Sequence, residues 1–85
     1  MRLKILFGVC ALALNLGAAA DDGPLVYAEH CASCHDSGAP RTPTRDTLQT
    51  LSPDTIVQAL ESGAMRVIGQ WSLDGPQRIA VAEFL

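Results

Sequence analysis

The sequence predicts a small all-α domain, and three observations carry that expectation. Strand signals are absent beyond residue 20, while three stretches carry helix start and stop signals. The third observation is size: 85 residues, 48% hydrophobic and 18% charged, with a net charge of −3. That is one domain at most. A low-charge, fairly apolar chain is not a disordered tail. Its acidity argues against DNA, RNA and anionic lipid as partners.

Residues 1–20 read as a cleaved secretory signal peptide. Arg2 and Lys4 precede the uncharged stretch from Ile5 to Gly17, and Ala18, Ala19 and Ala20 supply the small residues before Asp21. The apolar stretch falls short of the roughly 20 residues a membrane span needs, so no membrane anchor is expected after cleavage. Cys10 leaves with the leader. The expected domain, 21–85, keeps four basic residues against nine acids, a net charge of −5. Export places its two cysteines, Cys31 and Cys34, in an oxidising compartment, the periplasm in the simplest case. A domain of this size is marginal by packing alone, so a disulfide, metal or cofactor is expected to staple it.

The first helix is expected from Gly23-Pro24 through His35, with proline tolerated in the first turn, ending near Gly38. From Ser37 to Thr50 the chain reads as a loop interrupted by Pro40 and Pro43, with Leu48 its only large apolar side chain. A loop that long in so small a domain is usually functional. Ser52, Pro53 and Asp54 then open a second helix as N-cap, first residue and dipole-matched acid. It carries Ile56, Val57 and Leu60 on one face and terminates at Gly63. Ala64 to Leu73 reads as irregular. Asp74 and Gln77 form a capping box for a last helix bearing Val81, Phe84 and Leu85. The end at Phe84-Leu85, with no polar tail, suggests a fragment or truncated frame.

Cys31-Ala32-Ser33-Cys34-His35 is C-x-x-C-H, the attachment signal for c-type haem. At helical spacing the cysteines and the histidine share one face, so two thiols can meet two vinyl groups of one haem while the imidazole reaches its iron. A thioredoxin-type dithiol would want a βαβ setting, and a structural zinc site would want four ligands around the ion. His30, Cys31, Cys34 and His35 sit too close along one helix to surround a metal.

With His35 as one axial ligand, Met65 is the candidate for the other. It is the only methionine beyond the leader, in a stretch between Gly63 and Gly69 where a gap-filling core residue is less expected than a ligand. A thioether raises the potential of a His-ligated haem. His30 precedes Cys31 on the same helix and is expected at the surface. Trp71 could edge the haem or fill the core. Arg41, Arg45 and Arg66 could pair with haem propionates, although surface arginines without a specific role are commoner.

Over nearly its whole exported length the chain resembles class I c-type cytochrome domains. Gly23 and Tyr27 stand where such domains carry a glycine and an aromatic before the first cysteine, packing on an aromatic of the last helix, here Phe84. The segments LSPDTIVQALESGAMR and SLDGPQRIAVAEFL resemble the later helices that flank the methionine ligand, and Met65 falls at its position. The resemblance implies a small cytochrome c fold, three or more short helices around one covalent haem c. It also implies a proline after the motif whose carbonyl accepts from the proximal histidine, Pro43 in the first instance and Pro40 in the second. Asp36 departs from the glycine common after the motif histidine, and the final helix is short.

Within that family the chain is similar to the haem domain of quinoprotein alcohol dehydrogenases of the polyvinyl alcohol dehydrogenase type, on its "CHD" start, its arginine- and proline-containing loop and its "GAMR" segment. The expectation is thus an exported electron carrier without catalytic residues of its own. A PQQ-dependent dehydrogenase would be the donor, and a terminal oxidase or another cytochrome the acceptor. Two alternatives stand beside it: the haem domain or a fragment of such a dehydrogenase, and a haem-based ligand sensor in which Met65 leaves the iron.

Overall fold

A computed structural model describes residues 22–85; the expected signal peptide and Cys10 lie outside the described residues. Among the described residues there are six helices and no strand, in the order α1 (Gly23–His30), α2 (Ala32–His35), α3 (Arg45–Leu48), α4 (Pro53–Glu61), α5 (Arg66–Trp71) and α6 (Gly75–Phe84). None is long and apolar enough to cross a membrane.

The helix starts follow from their caps. Asp22 accepts from the Leu25 N–H at 3.4 Å, Thr44 from Thr47 at 3.2 Å and Ser52 from Thr55 at 3.1 Å. Each cap satisfies an amide that the first turn leaves without a partner. At α6 the capping box closes in both directions: the Gln77 amide donates to Asp74 and the Asp74 amide to the Gln77 side chain, each at 2.9 Å.

Helix α6 is the hub, packing on α1 and α4, while α4 also packs on α5. The core gathers Val26 and Tyr27 of α1, Ile56 and Leu60 of α4, Leu73, and Val81 and Ala82 of α6. Two glycines set how closely the helices approach. A Cβ on Gly23 would lie 2.5 Å from the Ala80 carbonyl oxygen and 2.7 Å from the Phe84 Cβ, so α1 crosses α6 in backbone contact. A Cβ on Gly69 would strike the backbone of Leu60, which presses α5 flat against α4.

Three expectations need correction. The first helix is interrupted at Cys31, whose φ of −123° and ψ of −39° leave the helical region, so α1 and α2 are separate. The loop after the motif contains the single turn α3, held by its Thr44 cap. Ala64–Leu73 contains α5, a helix without strong end signals that is held by its contact with α4. The stop expected at Gly63 is where the second helix ends: α4 runs to Glu61, with Ser62 as its C-cap and Gly63 next.

Candidate haem-binding site

The C-x-x-C-H motif spans the junction of α1 and α2. The Cys31 carbonyl accepts from both Cys34 and His35 amides, at 3.3 and 3.0 Å, so the motif keeps helical spacing across the break. Both cysteines are unpaired thiols, Cys31 half-buried and Cys34 exposed. Burial, reinforced by the Asp36 charge, pushes the Cys31 thiol above its ordinary pKa. A dithiol nucleophile of the thioredoxin type is tuned the other way. Among the described residues no three His, Cys, Asp or Glu side chains converge on a common point.

His35 is the buried polar side chain of the core region, and its Nδ1 donates to the Pro43 carbonyl at 2.7 Å. A carbonyl has only lone pairs to offer, so the ring proton sits on Nδ1 and the Nε2 lone pair is left free to ligate. The loop that delivers Pro43 turns at two left-handed residues, Gly38 with φ 74° and Arg41 with φ 55°. Pro40, the other candidate, instead accepts from the Thr42 hydroxyl at 3.2 Å.

Next to His35, Asp36 ties the motif to α1 and α3. It accepts from the Tyr27 hydroxyl at 2.7 Å and from Arg45 Nη2 at 2.5 Å, and the Arg45 guanidinium lies 4.4 Å from the centroid of the Tyr27 ring. The Arg45 hydrogen bond, followed by that of Tyr27, holds the Asp36 carboxyl below the usual carboxylate range. Burial, followed by the bond to Asp36, raises the Tyr27 phenol. The Tyr27 ring meets Phe84 at 6.0 Å between centroids, tilted by 57°, so α6 is fastened to the same cluster.

Cys31, His35 and Met65 line one apolar cavity together with Tyr27, Leu48, Ile56, Leu60, Ile68 and Val81 among others. Met65 is the N-cap of α5, half-buried, and its amide donates to Ala59 at 3.0 Å. A wholly apolar hollow, one imidazole with a free Nε2, one thioether and two unpaired thiols fit a haem attached through C-x-x-C-H. Cys34 is not part of the cavity wall. Trp71 belongs neither to the core nor to this wall, being 87% exposed. Arg45 is engaged by Asp36 and Arg66 by the Gly63 carbonyl at 3.3 Å. Leu48 and Ile68 were not legible as lining residues. Leu48 at least stands out as the lone large apolar side chain of its loop.

An all-helical domain of this size, with a C-x-x-C-H histidine oriented by a following proline carbonyl over an apolar cavity, is a c-type cytochrome domain, and hence a haem-binding one. The chain belongs to the family described as cytochrome c oxidase, cbb3-type, subunit III, whose model matches residues 18–85. It is also similar to two curated polyvinylalcohol dehydrogenases. That of Sphingopyxis sp. (strain 113P3) is 39% identical over 44 residues, 52% of this chain and 7% of the relative. That of Pseudomonas sp. is 38% identical over 60 residues, 71% of this chain and 9% of the relative. The chain thus spans less than a tenth of the length of these relatives. No solved structure matches it.

Proposed function

We propose that the chain is an exported monohaem c-type cytochrome that passes single electrons between redox proteins, with His35 and Met65 as axial ligands and Cys31 and Cys34 as thioether attachments. The observation that carries this reading is the cavity they share: His35, with its proton held on Nδ1 by Pro43, and the Met65 thioether line the same apolar hollow.

When bound, haem supplies a one-electron iron couple; the chain supplies ligands, burial and docking. Cys31 and Cys34 would hold the haem through thioether bonds to its two vinyl groups. His35 offers Nε2 while Pro43 keeps the ring oriented and more basic. The apolar wall excludes water, which supports a high potential. With both His35 and Met65 holding the iron, no position would be left for a substrate or a gas, which favours electron transfer over substrate chemistry or gas sensing.

The likeness to polyvinylalcohol dehydrogenases supports a second, compatible reading: a PQQ-dependent dehydrogenase as electron donor, acting on this chain as a partner or as the remainder of a longer polypeptide. A terminal oxidase or another cytochrome would then accept the electron, in the periplasm. A negative surface would steer encounters with basic patches on either partner.

The test is a reduced-minus-oxidised absorption spectrum of exported protein, with pyridine haemochrome on denatured material. Covalently retained haem, a sharp α band and a weak methionine–iron band at the red end are expected. Met65→Ala is expected to lose that band, bind carbon monoxide when ferrous and fall in potential. Absence of covalent haem would refute the reading.

A further inference from the structure

Arg78, on the first turns of α6, is a cation in a place where cations are costly. Its side chain is only 15% exposed, and its Nε is buried without a hydrogen-bond partner, the Glu61 carboxylate lying 3.6 Å away. That distance is too long for a hydrogen bond. Guanidinium cannot shed its charge to relieve burial. What it does instead is specific: Nη1 donates to two carbonyls at once, Gly69 at 2.8 Å and Leu73 at 2.9 Å.

Gly69 belongs to α5, and its own amide donates to the Met65 carbonyl at 2.9 Å. The Met65 amide in turn donates to Ala59 of α4 at 3.0 Å. A continuous line of hydrogen bonds therefore runs from Arg78 through Gly69 to both sides of the Met65 peptide and on to α4. Helix α5 has six residues and no side-chain N-cap, too short to stand without outside support. On the α4 side it is held by the contact of Gly69 with Leu60 and by the Gln70 side chain donating to the Glu61 carbonyl at 2.9 Å, and on the α6 side by the Arg78 fork.

We infer that Arg78 is a positioning residue for the axial methionine: it clamps α5 onto the start of α6 and so holds Met65 at the cavity wall. This rests on the reading of Met65 as a ligand. A buried apolar residue would fill the same space but would leave the Gly69 and Leu73 carbonyls without their donor. Release of α5 frees the thioether while α1, α4 and α6 keep their core.

The haem-loaded full chain is compared as wild type, Arg78→Met, Arg78→Lys, Met65→Ala and Gly23→Ala. The last loosens α1 on α6 without touching α5, and so controls for general destabilisation. Expected for Arg78→Met, under conditions where far-ultraviolet circular dichroism is still native, are loss of the methionine–iron band, carbon monoxide binding by the ferrous form and a lowered potential. The Gly69 amide should lose hydrogen-exchange protection ahead of Val81. Arg78→Lys should fall between, and Gly23→Ala should keep the band until its helices melt.

A band that survives in Arg78→Met until global unfolding overturns the inference. If Arg78→Met does not fold, Arg78→Lys decides it: a band and carbon monoxide resistance equal to wild type overturn it equally. A wild type without the band, or a Met65→Ala protein that retains it, refutes the ligand reading itself and the clamp along with it.

Discussion

The His35 imidazole and the Pro43 carbonyl are joined by a 2.7 Å hydrogen bond across an eight-residue loop, and the bond assigns the ring proton to Nδ1. The bond thus turns the motif histidine and leaves its Nε2 available for ligation. The loop, with its two left-handed residues, is the part of the chain that sets this state.

The Nδ1 proton of His35 should accordingly appear in the NMR spectrum as a slowly exchanging resonance. Pro43→Ala keeps the carbonyl but frees its backbone torsion. It should speed that exchange and raise the reduction potential, since a less basic imidazole stabilises the oxidised iron less. An unchanged exchange rate and potential would argue that the proline is incidental.

At the α1–α6 crossing, Gly23→Ala forces a methyl against the Ala80 carbonyl and Phe84. Overpacking of this kind costs roughly 1–3 kcal/mol. The denaturant midpoint should fall with the m-value unchanged. Leu25→Ala, on the exposed side of the same helix, should cost far less.

Asp36 makes acid stability measurable. Its carboxyl titrates lower in the fold than the ordinary value of about 3.9, chiefly through Arg45. A depressed carboxylate stabilises the fold in full above that ordinary value, and the contribution disappears as pH falls through the folded one. The stability difference between wild type and Asp36→Asn should therefore be flat from about pH 5 to pH 8 and shrink below about pH 4. Parallel profiles throughout that range would remove the Asp36–Arg45 pair as its source.

The haem-free chain should not hold this fold. Without a guest, the apolar cavity lined by Cys31, His35 and Met65 leaves a domain this small without part of its core. Cys31→Ala with Cys34→Ala, produced without haem, should give helical signal but no cooperative thermal transition. A sharp transition would mean that the seven buried apolar residues of the core suffice.

What could be read from the sequence was whatever is local. The caps at Ser52 and Asp74 and the C-x-x-C-H spacing are encoded within a few residues, and α4 and α6 begin where they predict. Helix α5 was illegible because its stability is not local. Gly63 and Gly69 read as breakers, yet Gly69 is there to let α5 touch Leu60, and the Arg78 that clamps it comes nine residues later. The Tyr27–Asp36–Arg45 cluster joins three elements with no shared periodicity. Tyr27 and Phe84 were paired only through the family resemblance, which carries tertiary information that a single sequence does not.

Trp71 gives the molecule an optical property separate from its chemistry. It is the sole tryptophan, and its indole is already bathed in water in the native state. Unfolding can therefore shift the colour of its emission very little. Its brightness is another matter, because a nearby haem drains indole excitation steeply with distance. In this protein fluorescence intensity works as a ruler from Trp71 to the haem, while fluorescence wavelength is silent about the core.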